Sequence, residues 1–207
     1  MQVLTRTLAI FLTVLFMFGC TSQHKQLNLT EDLKDFVQDK SKLPVLVYTR
    51  PGAAELKTYH SFMVDPINVY RTEKEEGLIS DNDINRLKYQ FQQKMTNELK
   101  KAGLPVVDIA QADTLKISIA LSDLRAPVSL SSETATAIGK HFELGGVTIF
   151  AAFSHAKTES VVAVVMERSR GKSMLMDNHT SSFSDIEAAM DSWAKNVSLA
   201  VVEAHKN

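Results

Sequence analysis

The stretch Thr114 to Leu124, TLKISIALSDL, sets Leu115, Ile117, Ile119 and Leu121 on one side of an extended chain and Lys116, Ser118, Ala120 and Ser122 on the other. Strand side chains alternate between faces, so this strict alternation implies a sheet with one face on a core. That apolar face needs a cover, and the chain supplies one on either side of it. Upstream, Ile84, Leu87, Phe91, Met95 and Leu99 fall on one face of a helix, opened by Ser80 and Asp83 at capping-box-like spacing and ended by Gly103 and Pro105. Downstream, Ile186, Met190, Trp193, Val197 and Val201 line a second helix behind the pair Ser184 and Glu187.

Further strands surround this frame. YHSFMVDPINVY alternates through Phe62 and Val64 and resumes, after a break, at Ile67 and Val69. Pro66 has no amide to give to a ladder, so the strand either lies at an edge there or carries a bulge that shifts its inward phase. LPVVDI reads as a short strand, and GVTIFAAFSH with SVVAVVMERSRG reads as a hairpin turning between Ala156 and Glu159. An extended piece around Val45 to Tyr48 is stopped by Pro51 and Gly52. The order β-α-β-β-β-β-α gives an α+β two-layer sandwich: a mostly antiparallel sheet of about five strands with both amphipathic helices on one face.

The amino terminus has a different character. A short head with Arg6, an apolar run from Leu8 to Phe18 broken only by Thr13, and Gly19 before Cys20 have the layout of an export signal. The run is shorter than the roughly 20 apolar residues that cross a bilayer. Gly19 and Cys20 fit a bacterial lipobox, while Met17 and Phe18 replace its usual aliphatic and small residues. Cleavage between Gly19 and Cys20 and lipidation of Cys20 are therefore expected, and several acyl chains on one residue give a stable membrane anchor. Thr21, where an Asp favours inner-membrane retention, points to the outer membrane facing the periplasm. The expected organisation is a signal peptide over 1–19, a lipidated tether over 20–42, in which a short helix after Thr30 is an option, and one α+β domain over 43–207.

Charge excludes some partners. Lys plus Arg number 23 against 24 Asp plus Glu, so no net field draws nucleic acid. A single cysteine excludes an internal disulfide and any zinc site with two thiolates.

The mature chain resembles the bacterial lipoprotein family of the domain of unknown function 3313. The resemblance is carried by LVYTRPGAAELKTYHSFMVDPINVY, LISDNDINRLKYQFQQKMTNEL, TLKISIALSDLRAP, IGKHFELGGVTI and FSDIEAAMDSWA, in that order from Leu43 to Ala194. The family pattern at the hairpin is Asp-x-x-Thr-Gly, where this chain has His155, Ala156, Lys157, Thr158 and Glu159. Without the glycine, the turn lacks an easy residue for positive φ. The resemblance implies an envelope location and this fold, and no activity.

No catalytic pattern stands out. Asp65, Asp123 and Arg125 form the candidate polar site, Asp65 because it precedes a proline at a bend where a carboxylate can accept from a free amide or from Arg125. His24, His60, His141, His155, His179 and His205 include no i, i+4 pair for a metal, so no cofactor is expected. The stretch Ala126 to Gly145 has no period that would bury Val128, Leu130, Ile138, Phe142 and Leu144, which makes it a candidate partner surface. These readings combine into a lipid-anchored, non-enzymatic envelope module that binds another envelope protein through a sheet edge or that loop. The competing readings are an envelope hydrolase using Asp65 with Arg125 or a histidine, and a small-ligand or lipid binder, either of them using a pocket near Asp65 and Arg125. The last requires an apolar cavity between helices and sheet.

Overall fold

The structure, a computed structural model, describes residues 33–71, 79–125, 146–170 and 183–206. The chain divides into two units, Met1–Lys34 and Asp35–Asn207. Of the first, only Leu33 and Lys34, in a turn, are among the described residues. Among its described residues the second holds seven strands and two long helices: β1 (Val37–Gln38), β2 (Leu46–Thr49), β3 (Ser61–Val64), β4 (Asn68–Val69), α1 (Asp81–Lys101), β5 (Thr114–Arg125), β6 (Gly146–His155), β7 (Val161–Arg170) and α2 (Ser184–Lys206).

The strands form one sheet in the order β1-β2-β7-β6-β5-β3, with β4 also on β5. Two expectations need correction. The sheet has seven strands, not about five: β1 and β2 extend it beyond β7, and the Phe62 strand splits into β3 and β4. Val37 and Gln38, expected in the tether, pair with Thr49 and Tyr48. LPVVDI contributes only an isolated bridge from Val106 to Phe62. The sheet is also partly parallel, since β3 and β4 run parallel to β5 while the other pairings are antiparallel. The cause is topological. A helix lies between β4 and β5 in the chain, and a helical crossover returns the chain to run in the same direction.

Pro66 produces both effects foreseen for it. Its strand is an edge of the sheet, and four steps from Val64 to Asn68 face three steps from Ile117 to Ala120. The extra residue reverses the inward phase, which is why Phe62 and Ile67 are both buried.

On β5, Leu115, Ile117, Ile119 and Leu121 are buried, and cross-strand register continues their layer through Phe153, Ala151 and Ile149 of β6 to Ala163, Val165 and Glu167 of β7. The opposite face is not fully wet, because Ala120, Thr148, Ser154 and Val164 are buried there as well.

α1 buries Ile84, Leu87, Phe91, Met95 and Leu99, the stripe read from the sequence. Ser80 caps it by accepting from the Asp83 amide at 3.1 Å. At its other end Gly103, with φ 77°, lets its own amide reach Lys100 O and the Leu104 amide reach Leu99 O, both at 3.0 Å. α2 begins on Ser184 itself, with the Glu187 amide donating to Phe183 O at 2.9 Å, so the helix opens one residue earlier than expected and Ser184 is its first residue, not its cap. Phe91 and Trp193 join the helices edge to face at 5.8 Å.

Candidate functional site

Asp65 sits in the one-residue bulge between β3 and β4. Its amide donates to Ile117 O at 3.0 Å, Ser118 Oγ donates to its carboxylate at 2.5 Å, and Lys116 Nζ lies 4.0 Å away. It fastens an edge bend to the central strand. Asp123 lies five residues beyond Ser118 on β5, about 17 Å at strand rise. It sits at a second bulge, between Ser122 and Arg125, with φ 51°, and accepts from Thr148 Oγ1 of β6 at 2.8 Å. Asp and Asn tolerate this left-handed conformation better than most residues. The Arg125 main chain pairs with Gly146. The structure thus gives Asp65 and Asp123 separate partners on opposite sides of β5 and does not bring the two carboxylates together.

Two of the described histidines, His155 and His205, serve the frame. His155 Nδ1 accepts from the amides of Lys157 and Thr158, each at 3.3 Å, as an Asx side chain does in a turn. His205 near the end of α2 reaches Val201 O and Tyr59 O, each at 2.8 Å, and ties the helix to the corner before β3. Among the described residues no cluster of three or more His, Cys, Asp or Glu side chains is placed for a metal, and no helix is long and apolar enough to cross a membrane. Gly19, Cys20, Val128, Leu130, Ile138, Phe142 and Leu144 lie outside the described residues.

What the sequence reading did not locate is an apolar cleft. Helices pack about 8–10 Å apart and strands about 4.8 Å, so two helices cover roughly four strands. α1 packs on β3 and β4, and α2 packs on β6. The β7 and β2 side of the sheet is left beyond the helical layer, and a cleft of about 590 Å³ opens there. Its floor is Phe153, Val162 and Trp193; Val45, Val47 and Val165 form its sheet wall, and Val197 and Ala200 its helix wall. Val197 belongs to the apolar stripe of α2 yet is only half-buried, because it faces this space.

Charged groups mark the two ends. β2 pairs with β7 from Leu46 opposite Met166 to Thr49 opposite Ala163, and the Arg50 amide donates to Val162 O at 3.0 Å. Glu167 and Lys42 therefore stand at one end, and Arg50 and Glu55 at the other, about 16 Å apart along β2. Burial raises the Glu167 carboxyl above the ordinary glutamate range. Arg50 lies over the Phe36 ring at 4.9 Å, and its Nε is buried with no hydrogen-bond partner among the described residues.

A family model described as "Protein of unknown function (DUF3313)" matches residues 25–197. The chain belongs to the DUF3313 family. No curated protein matches it. Among solved structures this DUF3313 protein is similar to a PelC dodecamer from Paraburkholderia phytofirmans, at 15% identity over 73% of this chain and 96% of that one, with a TM-score of 0.43. It is also similar to a minor lipoprotein from Acinetobacter baumannii, at 9% identity over 70% and 94% of the two chains, with a TM-score of 0.44. A DUF4136 family protein from Bacteroides thetaiotaomicron matches at 12% identity over 83% and 97%, with a TM-score of 0.43. Within this DUF3313 chain the hairpin departure is accommodated directly: Glu159 adopts φ 58° where the family pattern has glycine.

Proposed function

We propose that the protein is a lipid-anchored module of the cell envelope whose role is non-enzymatic binding, with the cleft between α2 and the β2–β7 side of the sheet as its binding surface. The observation that carries the reading is the open apolar wall itself. Val45, Val47, Val165 and Val197 stand half-exposed in a concave site whose volume falls in the roughly 300–1,000 Å³ range of small-ligand sites. A hydrolase reading needs Asp65 in mutual reach of Arg125 or a histidine, whereas the described contacts of Asp65 are with Ser118 and Lys116, and His155 and His205 bond main-chain groups elsewhere. The cavity between helices and sheet is the feature a small-ligand or lipid binder requires, and it lies on the β2–β7 side of the sheet, away from Asp65 beside β5.

Anchoring rests on the amino-terminal sequence. Export by the 1–19 segment, cleavage before Cys20 and acylation of that residue would place the domain on the periplasmic side of the outer membrane. The first test is Cys20→Ser, which should abolish metabolic labelling with palmitate and leave an uncleaved precursor. Labelling that persists in the variant would overturn the anchor.

A further inference from the structure

We propose that the cleft takes the hydrocarbon chain of a single-chain, fatty-acid-like amphiphile whose carboxylate seats on Arg50. This rests on the cleft as a binding surface and adds what the surface binds. Arg50 is half-buried at one end of the apolar wall, with Nε sealed from solvent and the guanidinium against Phe36. No carboxylate pairs with it among the described residues, and Glu55, at the same end, is bridged to Lys57 at 3.0 Å. A sealed guanidinium nitrogen without an acceptor is costly, and the guanidinium fork matches a carboxylate in two parallel hydrogen bonds. A cation with no carboxylate partner among the described residues, beside an apolar wall, calls for one negative charge carried on an apolar body.

Size and direction agree with this. The run from Arg50 to Val45, about 16 Å, accommodates one extended chain, and two would crowd a cleft of about 590 Å³. At the far end Lys42 is exposed to solvent, where water already answers its charge, so that end offers no sequestered cation for a head group. The tail would pass Val47 and Val165 and lie against Trp193.

Trp193 is the only tryptophan of the chain and lines the cleft, so it reports occupancy. The experiment uses the full-length protein in phosphatidylcholine vesicles, titrated with ω-bromoundecanoate or with ω-bromoundecanol, whose bromine quenches indole fluorescence on contact. Val165→Phe, which places a ring across the middle of the wall where the chain would pass, supplies the background from probe dissolved in the vesicle. We expect saturable quenching by both probes above that background, with the acid binding about tenfold more tightly than the alcohol. Arg50→Gln should erase the tenfold preference and leave alcohol binding intact, which also shows that the variant is folded. Lys42→Gln should leave the preference unchanged. Equal binding of acid and alcohol by the unaltered protein, or a preference that survives Arg50→Gln, overturns the carboxylate assignment while the cleft remains a binding surface. Quenching no greater than in Val165→Phe for either probe overturns both.

Discussion

Asp123 and Glu159 hold positive φ without being glycine, and each is fastened by its side chain to a neighbouring strand: Asp123 to Thr148, and Glu159 to Lys116. For most residues that conformation costs about 1–2 kcal/mol, whereas glycine adopts it freely. Glu159→Gly is therefore expected to raise stability by up to about 1 kcal/mol in urea unfolding, the relief of strain being partly offset by a looser unfolded chain. Asp123→Ala should lower it by about 1–2 kcal/mol, because strain stays while the Thr148 bond is lost. Glu167 acts through charge. Its folded pKa is raised by burial, so the folded state holds this proton more tightly than the unfolded state does. Stability from this group is accordingly present at low pH and falls as pH rises from the ordinary glutamate range, about 4.3, through the raised value. Glu167→Gln should be more stable than the unaltered protein at neutral pH, with the difference closing below about pH 4 in denaturant titrations across pH.

Elements differed in how plainly the sequence announced them, and the reason is length. α1 and β5 each repeat one period long enough for the apolar side to be unambiguous, and all their foreseen inward residues are buried. β1 and β4 are two residues long, and two residues carry no period. β7 was legible as a strand, but SVVAVVMER is apolar on both faces and so conceals that Ala163, Val165 and Glu167 form the wall of a cleft. The candidate carboxylates were legible as unusual positions, and both turn out to sit at bulges, which is a structural use of the same signal. His205 gave no pattern at all, since its partners Val201 O and Tyr59 O are main-chain atoms and Tyr59 lies far away in the chain. His205→Ala should cost about 1–2 kcal/mol, and amide exchange should quicken mainly in the last turn of α2.

At the scale of the whole molecule, the cleft follows from a mismatch between a sheet six strands across and a cover of two helices. It could not be foreseen from a count of about five strands, which two helices nearly cover. The core beneath the helices is continuous, with Phe91 and Trp193 in contact above β5 and β6. Loss of Trp193 fluorescence and loss of far-ultraviolet helical signal should therefore coincide in one unfolding transition; separated midpoints would show that α2 comes away first. The two rims of the sheet carry a further consequence. One ends in a strand of two residues, and the other is broken by Pro66 and its bulge. A short or kinked border denies a neighbouring chain the continuous row of free amides and carbonyls that it would need to add itself as another strand. Copies of this domain at high local concentration thus each keep an apolar cleft open without zipping together along their sheets.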